Sequence, residues 1–239
     1  MENRFVEKLR RYADLTAGDV AALEKATTSA RKVSARVDLI REGDRPGPVF
    51  VMLDGWAMRY KILPNGSRQI MAFLMPGDAC DLHIGLLAEM DHSIQTLTQS
   101  RVAAISRAEM DRLLDEHQGI AKGMYIAQLA DEGTLRAWIV SMGRRSSMER
   151  VAHLVCELYI RAHGTGLART EFDIPISQIV LADALGMTPV HINRMLRDLR
   201  EQKIIAMRRG CISILNPEVL AKVAGFDENY LHRRTRTAS

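Results

Sequence analysis

Cysteine is scarce in this 239-residue chain: Cys80, Cys156 and Cys211 stand far apart and form no C-x-x-C pair. That spacing speaks against a disulfide framework, a four-cysteine zinc site and an iron–sulfur cluster held by thiolates. Long apolar runs are missing too. Pro48–Leu53 and Ile70–Met75 are far too short to span a bilayer. Met1-Glu2-Asn3-Arg4 does not open a secretory signal, so the expected location is the cytoplasm. The 16 glycines and 7 prolines are scattered among 47% hydrophobic residues, which excludes a collagen-like or disordered chain. Catalytic fingerprints are lacking: there is no G-x-S-x-G, P-loop, G-x-G-x-x-G or H-E-x-x-H, and the carboxylates form no obvious pair. No enzyme, no cofactor and no metal site is expected.

What the chain does have is an uneven charge. Residues 1–143 carry 18 Lys/Arg against 19 Asp/Glu, while residues 144–239 carry 15 against 10. A neutral front and a basic back suggest that the back meets a polyanion, although modest positive charge also serves solubility.

The texture changes along the chain. The first 28 or so residues read as helical, with a start signal at Thr16-Ala17-Gly18-Asp19 followed by Val20, Leu23 and Ala26. From Arg31 to Arg107, short strand-like runs alternate with turn signals at Gly43-Asp44, Asp54-Gly55, Pro64-Asn65-Gly66 and Pro76-Gly77-Asp78. Trp56, Met58, Tyr60 and Ile62 alternate as on a half-buried strand. Asn65-Gly66 offers the positive φ angles of a tight hairpin, and Gln69–Leu74 returns as the partner strand. Such spacing predicts a β-sandwich or β-roll. Between Ile120 and Met142 a proline-free stretch repeats Ile120, Met124, Ala127, Leu135, Trp138 and Ile139 at helical spacing. About six turns of helix outrun a small roll, which favours a dimer seam over a simple cover, without a strict heptad. After Gly143-Arg144-Arg145, Ser146 and Glu149 form a capping box that opens a helix to about Ala162.

Ile174–Ile205 carries the clearest functional signal. Ser177 can cap a helix that buries Leu181, Ala182 and Leu185 and ends at Gly186. Thr188-Pro189 then starts a second helix, with Ile192, Met195, Leu196 and Leu199 inward and Val190, His191, Asn193, Arg194 and Arg197 outward. Phe172-Asp173-Ile174 precedes the pair as a strand. Ile204–Met207 and Ile212–Leu215 follow it as a hairpin tipped by Arg208-Arg209-Gly210. This pattern is a winged helix-turn-helix. An exposed helix fits the major groove, where arginine pairs with guanine and asparagine with adenine. Arg194 and Asn193 are therefore the first candidates for reading bases, with His191 next and Val190 able to touch a thymine methyl. Ser177, Gln178, Thr188, Arg208 and Arg209 suit phosphate contacts. Arg197 and Arg200 read instead as a solvated face paired with Asp198 and Glu201.

At these residues the whole chain resembles the CRP/FNR family of bacterial transcription regulators. The resemblance is carried by Arg41-Glu42-Gly43-Asp44, Pro76-Gly77-Asp78, Arg150-Val151-Ala152 and Leu181-Ala182-Asp183-Ala184-Leu185-Gly186-Met187-Thr188, and by the order of modules. It implies an α+β chain with a cyclic-nucleotide-binding-like β-roll (1–116), a long dimerisation helix and hinge (117–145), a winged helix-turn-helix (146–225) and a flexible tail (226–239). It also implies a homodimer on a palindromic site of double-stranded DNA, with RNA polymerase as a further partner and the small-molecule effector unknown.

Departures from the family pattern narrow this expectation. Where cyclic-AMP-binding members carry a Gly-Glu step and an Arg-Ser pair, this chain has Asp81-Leu82 and His92-Ser93. Leucine cannot bond a ribose, and histidine is a poor substitute for arginine's fork at a phosphate. Cyclic AMP is therefore not expected to bind. No cysteine precedes Cys80, so the N-terminal cysteine set of the oxygen-sensing branch is missing and no iron–sulfur cluster is expected. The family's frequent glutamate falls on Val190 and another contact position on Pro189, while Arg194 keeps its arginine, so a different half-site is expected.

Further readings stay open. Cys80-Asp81-Leu82-His83, with His92 nearby, has the residue types of a mixed metal or haem set; a part-buried cysteine with two surface histidines is the preferred alternative. Cys211, beside Arg208 and Arg209, is a redox candidate as well as a small apolar wing residue, the latter being preferred. A cyclic-nucleotide-like ligand-binding regulatory module acting through a protein partner and a DNA-packaging protein are the rival functions.

Overall fold

The structure, a computed structural model, describes residues 3–82, 87–164, 173–208 and 211–232. His83, Phe172, Arg209, Gly210 and Arg233–Arg236 from the sequence reading lie outside these residues. Two compact units divide the chain, one mainly up to Leu129 and one mainly from Ala130, with 63–70 counted to the second.

The first unit opens with two helices rather than one, α1 (Arg4–Leu9) and α2 (Ala17–Ala26). Asn3 caps α1. Thr16 and Asp19 close a reciprocal capping box on α2, as the start signal predicts. Strands β1 (Arg31–Val33), β2 (Asp38–Ile40), β3 (Val49–Asp54), β4 (Ala57–Ile62), β5 (Arg68–Leu74), β6 (Ala79–Cys80), β7 (Ser93–Thr96) and β8 (Ser100–Ile105) follow. They form two four-stranded sheets, ordered β1-β8-β3-β6 and β2-β7-β4-β5. The registered pairs, such as Phe50 with Ala104 and Arg59 with Ile94, are antiparallel. One core joins Phe5, Leu9 and Leu23 to Val49, Val51 and Ile105; another joins Phe50 and Met52 to Ile94 and Met90. This is the predicted β-roll.

Two local details differ from the sequence reading. Trp56, Met58 and Tyr60 are buried, but Ile62 is exposed, because the alternation ends where β4 runs out into its loop. In that loop only Gly66 takes a positive φ, at 82°. Pro64 holds an ordinary turn, the Gly66 N–H donates to the Leu63 carbonyl, and Asn65 accepts from the Ser67 N–H. The hairpin is thus a three-residue loop ending on a left-handed glycine, not a two-residue turn.

Helices α3 (Arg107–Glu116) and α4 (Gln118–Arg144) come next. At 27 residues, α4 is about 40 Å long and is the predicted long helix. Its first turns pack into the first unit through Ile120 and Met124. Among the described residues no helix is long and apolar enough to cross a membrane.

The second unit contains α5 (Ser147–Gly164), β9 (Asp173–Ile174), α6 (Gln178–Leu185), α7 (Pro189–Glu201), β10 (Ile205–Arg208), β11 (Cys211–Ile214) and α8 (Pro217–Ala224). The Glu149 N–H donates to Ser146 Oγ and the Ser146 N–H to Glu149 Oε2, so the predicted capping box opens α5. A three-stranded antiparallel sheet, β10-β11-β9, stands beside the helices. On α5, Glu157 is fully buried and accepts from Trp138 Nε1–H at 3.0 Å and from the Tyr230 hydroxyl at 2.9 Å, with Arg161 at 3.5 Å. Burial pushes its carboxyl upward despite these partners.

That network overturns part of the expected tail. Residues 226–232 do not fray: Glu228–Leu231 form a turn of 3-10 helix with Leu231 buried. Tyr230 supplies a bond that a buried carboxylate needs, and Gly133 lets the Tyr230 carbonyl approach where a Cβ would meet it at 2.4 Å. Periodicity could not show this.

His153 is 2% exposed, against Phe226 and Tyr230 with ring centroids 5.0 and 5.8 Å away. Burial, with the Arg145 charge adding to it, drops its imidazole from 6.5 to about 4. The unfolded chain then binds a proton between these values that the fold refuses, so stability falls as pH drops from about 6.5 to 4. Urea melts should show wild type losing about 3 kcal/mol more than His153→Leu between pH 7 and pH 4. Parallel pH profiles for the two proteins would contradict this account.

Candidate nucleic-acid interface

α6 and α7 form the helix-turn-helix, and each boundary has a local cause. Ser177 Oγ accepts from the Val180 N–H at 3.3 Å and Thr188 Oγ1 from the His191 N–H at 3.2 Å, satisfying donors that open helix ends leave free. Pro189 occupies the first turn of α7, where its missing N–H costs nothing. Between the helices Gly186 sits at φ 63° and ψ 39°, and the Met187 N–H returns to the Ala182 carbonyl at 3.1 Å. A left-handed residue is what lets the chain reverse in so few residues.

α7 is sharply two-sided. Ile192, Met195, Leu196 and Leu199 are buried, while Val190 is 81% exposed and Asn193 and Arg194 are exposed beside it. The wing strands β10 and β11 pair in the register that sets Arg208 opposite Cys211, with Arg208 exposed and Cys211 half-buried. The predicted reading residues Val190, His191, Asn193 and Arg194 therefore share one helix. Ser177 and Thr188 stand at the starts of the two helices and Gln178 in the first turn of α6. Arg197 lies 3.9 Å from Asp198 and 3.8 Å from Glu201 on the solvated face.

One interaction was not legible in the sequence. Arg194 Nη2 donates to His191 Nδ1 at 3.1 Å, so the imidazole holds the guanidinium in place. Spacing of three on a helix was the available signal.

The β-roll brings together part of the expected effector pocket. Asp81 and His92 meet at 3.0 Å, and Arg59, which the sequence reading did not single out, reaches Asp81 at 2.7 Å. Burial opposes charge on Asp81, but the His92 bond and the Arg59 charge hold its carboxyl below the usual range. Burial likewise opposes charge on His92, yet its bonds to Asp81 and Asp91 raise it. Leu82 packs against the core, and Ser93 Oγ accepts from the Glu42 N–H at 3.0 Å. The Asp81 carboxylate is thus paired with both Arg59 and His92.

The cysteine and histidine readings are also corrected. Cys80 is wholly buried, and His92 is a buried ion-pair partner rather than a surface histidine. Burial pushes the Cys156 thiol up to about 12. Among the described residues no three potential ligands gather into a metal site.

With this geometry in place, comparison with known proteins is direct. The cyclic nucleotide-binding domain profile matches residues 30–117 and the Crp-like helix-turn-helix profile residues 149–223. The chain belongs to the CRP/FNR family. The nitrogen fixation regulation protein FixK of Bradyrhizobium diazoefficiens is 28% identical to this CRP/FNR protein over 211 residues, 87% of this chain and 88% of that one. The fumarate and nitrate reduction regulatory protein of Escherichia coli is 23% identical over 191 residues, 80% and 76% of the two chains. The solved structure of FixK2 from Bradyrhizobium japonicum has the same fold, with a TM-score of 0.71 at 22% identity over 82% of this chain and 96% of that one. The protein is a DNA-binding transcription regulator of the CRP/FNR type.

The turn invites a direct test. Among the described residues, apart from its chain neighbours, no atom lies within 4 Å of a Cβ added at Gly186, so its backbone angle is what resists substitution. Gly186→Ala should lower the unfolding free energy by about 1 kcal/mol and Gly186→Asn by less, since asparagine tolerates left-handed backbone. Equal losses in urea titrations would place the cost elsewhere.

Proposed function

We propose that this CRP/FNR regulator binds a palindromic DNA site as a homodimer, without cyclic AMP and without an iron–sulfur cluster. The observation that carries the reading is the exposed edge of α7, where Val190, Asn193 and Arg194 stand free of the core that holds the helix. Arg194 reads guanine through O6 and N7, Asn193 reads adenine, Val190 touches a thymine methyl, and His191 orients Arg194. Ser177, Gln178, Thr188, Arg208 and Arg209 grip phosphates and set the register.

Dimerisation is supported by α4. Tyr125, Leu129, Leu135, Ile139 and Val140 are all exposed on it, Ile139 by 68%. Apolar side chains in this number on one long helix leave area that a second copy would bury. Two-fold pairing would present two copies of α7 to successive major grooves about 34 Å apart. Cyclic-AMP independence is supported by the paired state of Asp81 and His92. Absence of a cluster is supported by the wide separation of the three cysteines. RNA polymerase is the expected protein partner, and the location is the cytoplasm.

The test begins with selection of a site from random duplexes in buffer free of cyclic nucleotide. The regulator should prefer that site over random DNA by at least ~10³ and sediment as a dimer. Arg194→Ala should cost about 1–3 kcal/mol on the selected site and relax one position in each half-site. Arg208→Ala should weaken binding alike on all sequences and make the salt dependence shallower, by about one unit of slope for each phosphate no longer neutralised. A monomer that shows no preference, or equal losses on specific and random DNA for both variants, would refute this reading.

A further inference from the structure

Within the β-roll, one carboxylate is claimed from two sides. Arg59 Nη2 on β4 donates to Asp81 Oδ1 at 2.7 Å, and His92 Nε2, just before β7, donates to Asp81 Oδ2 at 3.0 Å. The other nitrogen of His92 faces Asp91 Oδ1 at 2.7 Å. With carboxylates on both sides, the ring satisfies both only by donating twice, as an imidazolium. The side chains of Arg59, Asp81 and His92 are 15%, 10% and 9% exposed. Two sheltered cations thus converge on one anion, and the chain itself supplies that anion.

The backbone adds an independent observation. Asp81 sits at φ 56°, in the left-handed region that favours glycine. A side chain therefore stands at a position whose backbone glycine would adopt more easily. Arg59 with an imidazolium supplies forked and single N–H donors, which match the oxygens of a phosphate group as well as those of a carboxylate.

We propose that Asp81 is a built-in counter-ion that occupies an anion site formed by Arg59 and His92 and so excludes phosphate-bearing ligands from the β-roll. The inference deepens, and rests on, the reading that cyclic nucleotide does not gate this regulator. It names the residue responsible and the ligand class that its removal would admit.

The full-length protein tests it. Thermal melts at pH 6.5 are run with increasing inorganic phosphate at constant ionic strength, with sodium chloride as the control. Wild type should show no stabilisation specific to phosphate. Asp81→Gly, which also relieves the left-handed strain, should bind phosphate at least about tenfold more tightly than wild type, read as a concentration-dependent rise in Tm. Adding Arg59→Gln should abolish the gain. If Asp81→Gly does not fold, Asp81→Asn takes its place: asparagine tolerates the same backbone and removes the charge, and a gain of about threefold is expected. The inference is overturned if a folded variant binds phosphate no better than wild type, if wild type already binds it, or if the gain survives loss of Arg59. DNA binding by wild type without cyclic nucleotide is measured in parallel. Intact DNA binding with no phosphate gain defeats this inference alone, whereas a requirement for cyclic AMP defeats the earlier reading.

Discussion

The proposed reading surface depends on how α7 is anchored. Ile192, Met195, Leu196 and Leu199 sink one face of the helix into the core, which leaves Val190, Asn193 and Arg194 outside on a rigid rod. Hydrophobic burial of one stripe therefore does two jobs: it holds the helix and aims the opposite edge. Gly186, Thr188 and Pro189 then decide where the rod begins. A base-reading helix needs this rigidity, because a bidentate contact to a base edge tolerates little misplacement.

Charge is handled in opposite ways in different parts of the chain. In the helix-turn-helix and its wing, Arg194 and Arg208 are solvent-exposed. Neutralised arginines would release no counterions on meeting DNA, so exposed and weakly paired cations are what a polyanion partner requires. In the β-roll the chain compensates its own cations: Arg59 and His92 share Asp81, Lys61 pairs with Glu42 at 2.9 Å, and Lys8 pairs with Asp78. Buried cations without such partners would carry a heavy desolvation cost. The same side-chain chemistry is thus left exposed in one place and compensated within the chain in the other.

Local signals were legible residue by residue. The capping boxes at Thr16/Asp19 and Ser146/Glu149, the glycine turn at Gly186 and the two-sided pattern of α7 all depend on neighbours within four positions. Contacts between distant positions were not. Arg59 and Asp81 are 22 residues apart, and Glu157 and Tyr230 are 73 apart, so no periodicity links them. The hairpin between β4 and β5 was legible, but its turn type was not, because Pro64 constrains the turn before the Asn-Gly pair can set it.

The modules and their order, the helix starts and stops, and the residues that α7 turns outward are written in the local sequence. These follow from side-chain volume, backbone freedom and the 3.6-residue period, all of which act locally. Tertiary contacts set the pairing of Asp81 with Arg59 and His92, the burial that keeps His153 neutral, and the anchoring of residues 226–232 through Tyr230. Those outcomes turn on which charges and hydroxyls meet once water is excluded, and that depends on strands and helices brought together from far along the chain.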